Sequence, residues 1–266
     1  MIALKSAVEP GTARYPSLEG RVVLVTGGGS GIGASLVEHF ADQGAETLFL
    51  ELSEAAAEKT ATDIAERTGK APKWRAVDLC DTTATKAAIE SLAAEAGGPI
   101  TGLVNNAGND DRHPALEVTA ELWDERFATN LRHQFFCAQA VLPGMIAAGG
   151  GAIVNLGSNS WMQGAPGLVA YTTAKSAVAG LTRSLAREFG DKNVRVNCIA
   201  PGWILTERQV KRAEAIYQGK FDEYLAKQCL KEFLFPPDIA RLALWLVADD
   251  ARMVTSQTFI VDGGVV

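Results

Sequence analysis

The stretch that decides the fold runs Arg21-Val22-Val23-Leu24-Val25-Thr26-Gly27-Gly28-Gly29-Ser30-Gly31-Ile32-Gly33. It opens as a β-rich apolar run over 21–25 and turns on glycines. From about Ser30 it takes a helical period carrying Ile32, Leu36, Val37 and Phe40. A strand, a glycine turn and a helix in that order bring backbone N–H groups together at a helix N-terminus, where a pyrophosphate binds. In that reading Gly27 makes the turn, Gly31 admits the close approach and Gly33 lets the helix pack on the strand. The spacing G-x3-G-x-G differs from the commoner G-x-G-x-x-G, and no Gly-Lys-Ser/Thr follows, which argues against a nucleotide-triphosphate loop.

Outward from this unit the chain alternates β-rich runs with helical stretches. Strands are expected at 47–51, 74–79, 100–108, 151–158, 194–202 and in the final QTFIVDGG. Helices are expected at 54–68, 83–95, 120–147 and 170–189, with a helical pair over 207–247. The strands read as near-continuous apolar runs, the mark of strands covered on both faces. The pattern predicts an α/β chain: one doubly wound, Rossmann-type domain over 20–266, its parallel sheet flanked by helices on both faces. Residues 1–19, with Pro10 and Pro16 and no long apolar run, read as a loose leader and not a signal peptide.

Composition narrows the function. The chain has 266 residues, 47% hydrophobic and 21% charged, with a net charge of −6. That supports a sizeable core and lacks the basic footprint of nucleic-acid binding. No 18 apolar residues run together, so no membrane span is expected. His39, His113 and His133 are too scattered for a familiar zinc spacing, so no metal site is expected. Cys80, Cys137, Cys198 and Cys229 form no CxxC pair and read as buried free thiols of a cytoplasmic protein.

Glu51 ends the second strand, 18 residues after Gly33. A carboxylate there can accept hydrogen bonds from both adenosine-ribose hydroxyls and would repel a 2′-phosphate. With no arginine or lysine between Thr26 and Gly33, the residues favour NAD over NADP; a solvated strand-end carboxylate is the plainer alternative. Asp78, in Val77-Asp78-Leu79, can receive the adenine amino group or simply cap its loop.

Tyr171 and Lys175 stand four apart in Tyr-Thr-Thr-Ala-Lys, on one face of a helix. A phenol titrates near 10 and is a poor base at neutrality. A nearby ammonium, together with the positive nicotinamide ring of NAD⁺, would lower that value. Ser158 lies 13 residues earlier, just past the strand Gly-Ala-Ile-Val-Asn-Leu-Gly, where its hydroxyl can leave the sheet's C-terminal edge. Each residue alone has a bland reading as packing, solvation or capping; the joint spacing is far more specific.

With these motifs in place, the chain from about residue 20 to 266 resembles the short-chain dehydrogenase/reductases. The likeness rests on TGGGSGIG, Asn105-Asn106-Ala107-Gly108, Asn130, Ser158, Tyr171, Lys175, Pro201-Gly202 and Val261-Asp262-Gly263-Gly264. It implies that Tyr171 is the general base, that Ser158 hydrogen-bonds the reacting oxygen, and that Lys175 holds the nicotinamide ribose and tunes Tyr171. By the same likeness Asn130 anchors a water in a proton relay, Asn106 and its neighbours steady the sheet beside the adenosine half, and Thr206 contacts the carboxamide. Ser30, Ile32, Leu79, Gly108, Gly202 and Ile204 complete the implied cofactor contacts. A homotetramer is also implied, with the helices around 120–147 and 170–189 in one interface.

Specificity then falls to the loops after strands four to six. They carry Asn109-Asp110-Asp111-Arg112-His113, Ser158-Asn159-Ser160-Trp161 with Gln163, Trp203, and Glu207-Arg208-Gln209. Donors and acceptors beside an aromatic face suit a polyhydroxylated ring; a steroid or acyl chain would want an apolar lining. Asn109, Asp110, Ser160, Trp161, Trp203 and Gln209 are the expected substrate contacts, with Trp161 the first choice for the aromatic wall. Asp110, Asp111 and Arg112 can equally be a solvated cluster, and His113 can cap or pack. Trp123 and Trp245 read as core. Residues 204–235, with Gly219 in their middle, read as a mobile substrate lid.

GNDDRH, WDERF, NLRHQFFCAQAVLPGM, GSNSW and QCLK resemble the bacterial NAD-dependent aldose 1-dehydrogenases, which implies oxidation of a pyranose C1 hydroxyl to the aldonolactone. The residues leave D-xylose, L-arabinose, D-galactose, L-fucose and L-rhamnose open. The competing readings are a 3-oxoacyl thioester reductase, against which Glu51 and the polar loops argue, and a non-enzymatic dinucleotide sensor, against which the complete catalytic set argues.

Overall fold

Two-residue alternation within each strand builds the molecule. In a computed structural model, which describes residue 8, residues 11–217 and residues 221–266, strand β1 (Val22–Thr26) is buried along its whole length. Val23 and Val25 join the core on one side of the sheet, Val22 and Leu24 the core on the other. The remaining strands are β2 (Glu46–Glu51), β3 (Lys73–Ala76), β4 (Gly102–Asn105), β5 (Gly151–Leu156), β6 (Val194–Pro201) and β7 (Thr258–Val261). They form one seven-stranded sheet in the order β3-β2-β1-β4-β5-β6-β7, with every neighbouring pair parallel.

One face is covered by α1 (Gly31–Asp42), α2 (Glu54–Thr68) and α9 (Pro236–Val247), through Leu36, Val37, Phe40, Ile64, Ile239 and Leu244. The other is covered by α3 (Thr82–Ala96), α5 (His133–Ala147) and α6 (Val169–Phe189), through Ile89, Leu92, Val141, Met145 and Leu185. Ser53, Asp81 and Thr119 cap α2, α3 and α4 (Ala120–Phe127) by accepting N–H groups of the first turn. Strand order reverses at β1, between β2 and β4, so a crevice opens at the carboxyl ends of those strands, the usual ligand position in such sheets.

Four readings change in detail. The helix expected over 120–147 is broken: a π-helical turn, Ala128–Arg132, separates α4 from α5. Strand β3 stops at Ala76, so Asp78 stands in the following loop. The pair expected over 207–247 is three helices, with α7 (Glu207–Tyr217) and α8 (Phe221–Leu225) preceding α9; Gly219 lies outside the described residues. The leader, of which residues 1–7, 9 and 10 are also outside them, is tied down at its described end. There Tyr15 N–H donates to Gln43 Oε1 (2.9 Å), the Gln43 amide donates to Ala13 O (3.0 Å), and Leu18 is buried.

All four cysteines are free, but only Cys137 and Cys198 are buried; Cys80 is half-buried and Cys229 exposed. Trp245 packs on the first core beside Phe259, whereas Trp123 stacks on Phe127 outside both clusters. Among the described residues no helix is long and apolar enough to cross a membrane.

Candidate active site

The crevice opens into a cleft of about 1750 Å³. That exceeds the roughly 300–1,000 Å³ that encloses one small ligand, leaving space for a dinucleotide and a second molecule. At its inner end Gly27 and Gly31 have φ of +67° and +54°, a region that side-chain-bearing residues avoid. A Cβ on Gly33 would lie 1.7 Å from Gly27 O, so only glycine lets α1 start this close to the turn. Gly27 N–H donates to Leu50 O at 2.7 Å. The Asn106 amide donates to Thr26 O (3.0 Å) and Gly27 O (3.1 Å), tying the end of β4 to the turn. Thr26 completes the join: its buried hydroxyl accepts from the N–H groups of Asn106 and Ala107. Sequence reasoning passed over Thr26, whose only signal is its place between strand and glycines.

Glu51 is fixed by three backbone donors: Gly29 N–H to Oε2 (2.8 Å), and Leu52 and Ser53 N–H to Oε1 (2.9 and 3.2 Å). Its carboxylate therefore faces the glycine turn and the N-terminus of α1, with Ser30 and Ile32 on the same cleft wall. Asp78 caps its loop by accepting Cys80 N–H at 2.9 Å, and it still borders the cleft with Leu79. Gly108, Pro201, Gly202, Ile204 and Thr206 line the middle of the cleft. A glycine cradle that a Cβ would fill, an exposed helix N-terminus and a carboxylate beside it fit a nicotinamide dinucleotide.

Tyr171 and Lys175 share one face of α6, with the ammonium 5.9 Å from the centre of the phenol ring. Lys175 Nζ is buried and donates to Leu156 O at 2.8 Å. Burial pushes Lys175 down to about 8. It pushes Tyr171 up to about 12, with the Asp110 carboxylate adding to the rise and Ser158 and Arg212 opposing it. The lowering expected for Tyr171 is thus absent in the protein alone, because desolvation of the phenolate outweighs the charges around it. Ser158 Oγ accepts Ser160 N–H at 3.1 Å and bonds the Ser160 hydroxyl at 2.9 Å.

Asn130 does not line the cleft. It sits buried in the π turn, where Oδ1 accepts Asn109 N–H (2.9 Å) and Nδ2 donates to Asn109 O (3.1 Å) and Arg126 O (2.9 Å). Its side chain therefore clamps the loop after β4.

At the outer end, Asp110 and Asp111 are partly exposed but paired. Asp110 Oδ2 accepts from Gln209 Nε2 and Arg212 Nη1, both at 2.7 Å. Asp111 Oδ1 accepts from Arg208 (2.6 Å) and Arg212 (2.8 Å), and Asn109 Oδ1 accepts from Arg208 at 3.1 Å. Burial raises Asp111, but the Asn109 and arginine contacts outweigh it and hold the acid below its ordinary range. Arg112 instead donates to Pro166 O (2.7 Å), and His113 N–H to Gly167 O (2.8 Å).

The aromatic wall is Trp203, whose indole donates to Gln209 Oε1 at 3.3 Å and stacks on Phe221 at 5.5 Å. Trp161 ends the short turn that Ser158 caps and is 39% exposed; its neighbours Asn159, Ser160 and Gln163 line the cleft. At this end of the cleft two more participants escaped the sequence reading, Arg212 and Tyr224. Arg212 had a signal, since it stands four residues from Arg208 on one helix face opposite two aspartates. Tyr224, whose hydroxyl accepts Trp203 N–H at 2.9 Å, had none. Among the described residues no cluster of histidine, cysteine and carboxylate is placed to hold a metal.

Residues 27–266 match the family described as enoyl-(acyl carrier protein) reductase. The chain is 45% identical over 255 residues to a D-xylose 1-dehydrogenase of Caulobacter vibrioides, covering 95% of this chain and 98% of the relative. It is 43% identical over 254 residues to a protein of Rhizobium meliloti named as a galactose dehydrogenase, covering 96% and 98%. The crystal structure of levodione reductase superposes with a TM-score of 0.85 at 30% identity, covering 92% of this chain and 97% of that one.

Proposed function

Since this chain belongs to the short-chain dehydrogenase/reductase family, we propose that it is an NAD-dependent aldose 1-dehydrogenase, oxidising the anomeric hydroxyl of a pyranose to the aldonolactone. The observation that carries the reading is the pairing of Tyr171, Lys175 and Ser158 with a cleft end built from Asn109, Asp110, Gln209 and the Trp203 face. Hydroxyl-rich ligands are selected by such groups, because an analogue lacking a hydroxyl leaves them unpaired.

Gly27, Ser30, Gly31, Ile32 and Gly33 would hold the pyrophosphate, Glu51 the adenosine ribose, and Asp78 and Leu79 the adenine. Asn106, Gly108, Pro201, Gly202, Ile204 and Thr206 would enclose the nicotinamide half. The carboxylate of Glu51 supports NAD over NADP, since a 2′-phosphate would meet its charge and compete for the donors it holds.

When bound, NAD⁺ supplies the hydride acceptor and a positive ring. The deprotonated Tyr171 oxygen takes the C1 hydroxyl proton as the C1–H bond gives up its electron pair and C1 becomes the lactone carbonyl carbon. Ser158 donates to the reacting oxygen, for which its hydroxyl must turn from Ser160. Lys175 keeps a positive charge behind the phenol. Asn109, Asp110, Ser160, Trp203 and Gln209 orient the ring. The implied homotetramer is part of this reading; Phe135 and Ile146 of α5 and Val169 of α6 are large apolar side chains exposed on the single chain.

The test is an initial-rate assay of NADH formation with D-xylose, L-arabinose, D-galactose, L-fucose and L-rhamnose, each with NAD⁺ and NADP⁺. Fast NAD⁺ reduction with one or two aldoses is expected. Silence on every sugar, with NADPH oxidised by an acetoacetyl thioester, would overturn the substrate and cofactor assignments together.

A further inference from the structure

Arg212 stands on α7, 102 residues from Asp110, yet its guanidinium bridges both aspartates of the loop after β4. Nη1 meets Asp110 Oδ2 at 2.7 Å and Nη2 meets Asp111 Oδ1 at 2.8 Å. The guanidinium is well sheltered, with 16% of its side chain exposed, so water screens this pair less than a surface one. That loop is fixed from behind by Asn130, which exchanges two hydrogen bonds with the Asn109 backbone. The same loop sets Asp111 with Tyr171 on the walls of one small cavity and Asp110 with Tyr171 on the cleft, and the Asp110 carboxylate adds to the upward push on the phenol. An uncompensated carboxylate there would oppose the phenolate that proton abstraction needs.

We propose that Arg212 is a positioning residue for proton transfer at Tyr171: by pairing with Asp110 it cancels the carboxylate that the Asn130-held loop keeps beside the phenol. This inference rests on Tyr171 being the base. The other groups around the phenol are Lys175 along α6, Ser158 after β5, and Asp111, His113 and Arg126 on the walls of a small cavity on its far side. Of the lid residues, Arg208 binds Asp111 and stays 3.8 Å from the nearer Asp110 oxygen, while Gln209 satisfies Asp110 without charge. Arg212 alone of these three lid residues brings a cation into hydrogen-bonding distance of Asp110.

The test labels the four tyrosines with ¹³Cζ and follows their phenolate signals by NMR against pH, with saturating NAD⁺ and no sugar. The Tyr171→Phe spectrum assigns the resonance. Arg212→Gln is expected to raise the Tyr171 midpoint by about one pH unit. Adding Asp110→Asn to it should return the midpoint to near the wild-type value, and Arg212→Lys should leave it nearly unmoved. A merely structural Arg212 would give no rescue, because Asp110→Asn weakens the contact further. An unmoved midpoint in Arg212→Gln, or a double variant as displaced as the single one, would overturn the proposal. If Arg212→Gln fails to fold, the contrast between Arg212→Lys and Arg212→Lys with Asp110→Asn carries the same sign. Because no substrate is present, a failed aldose panel leaves this result standing, whereas full activity in Tyr171→Phe removes its premise.

Discussion

His133 gives the sharpest prediction of acid sensitivity. The ring begins α5, is fully buried, and neither nitrogen makes a hydrogen bond of good geometry. Burial and then the nearby Lys175 push it from the ordinary 6.5 down to about 3, against a smaller upward pull from the Ala128 and Thr129 carbonyls. The folded ring is thus neutral through the range where an unfolded histidine charges. Between the two midpoints the unfolded chain binds the extra proton, so this group's contribution is complete above pH 6.5 and falls as pH drops through it. At pH 5 the loss is about 1.5 × 1.36, roughly 2 kcal/mol, relative to pH 7.5. That figure hardly depends on the folded midpoint, which lies well below pH 5. His133→Leu, close in volume and with no proton to bind, should lose about 2 kcal/mol less than wild type over the same interval. Urea unfolding at both pH values and one protein concentration measures the difference; His133→Gln is the polar control. Equal losses in wild type and His133→Leu would refute a buried neutral ring.

Tyr171→Phe is expected to lower kcat by at least about a hundredfold, the low end for a lost general base, while NADH affinity measured by fluorescence stays within a factor of a few. Gly33→Ala should abolish saturable NADH binding and cost about 1–3 kcal/mol of stability, because its Cβ meets backbone at Gly27 O and cannot be relieved by a side-chain turn. Gly98→Ala, with nothing within 4 Å, is the neutral control for thermal melting. Asp262 accepts from Asn159 (3.0 Å) and from the N–H groups of Gly264, Val265 and Val266; burial raises the acid, but these bonds outweigh it and hold it low. Its stabilisation is therefore present above about pH 4 and lost as pH falls through the depressed folded midpoint. Asp262→Ala should be less stable than wild type by about 1.5–3 kcal/mol at pH 7, with the gap closing toward pH 2.

What was legible in the sequence is what local chemistry dictates. The apolar runs fix strands covered on both faces, and the glycine turn fixes where α1 begins, because Gly33 touches Gly27 across the five residues between them. Tyr171 and Lys175 share a face because helical spacing leaves no other outcome. The direction of Trp161 was not legible, because a side chain's course after a short 3-10 turn depends on the cap at Ser158, which composition does not reveal. The π turn was equally hidden: residues 120–147 are helical by pattern, and one residue of underwinding within them leaves no mark on that pattern. Asp110 was legible as a polar cleft residue, but its pairing and that of Asp111 were not, because their arginines lie about a hundred residues away, on a helix whose docking no periodicity encodes.

That pairing bears on how the site works. Asn130 fastens the loop after β4 to the helix interruption, and Arg208, Gln209 and Arg212 fasten the same loop to α7. Gln209 also holds the Trp203 indole. The polar contacts for substrate, the aromatic wall and the charge beside Tyr171 thus belong to one hydrogen-bonded unit, not to separate loops. On the proposed function, a sugar hydroxyl that bonded Asp110 would share it with Gln209 and Arg212, so substrate recognition and the readiness of the base would be coupled through a single carboxylate. Substitutions at Asp110, Gln209 and Arg212 should therefore be non-additive in kcat/KM, with coupling of about 0.5–3 kcal/mol in double-mutant cycles. Additive effects would mean that the cleft's polar end recognises substrate independently of the proton-transfer step.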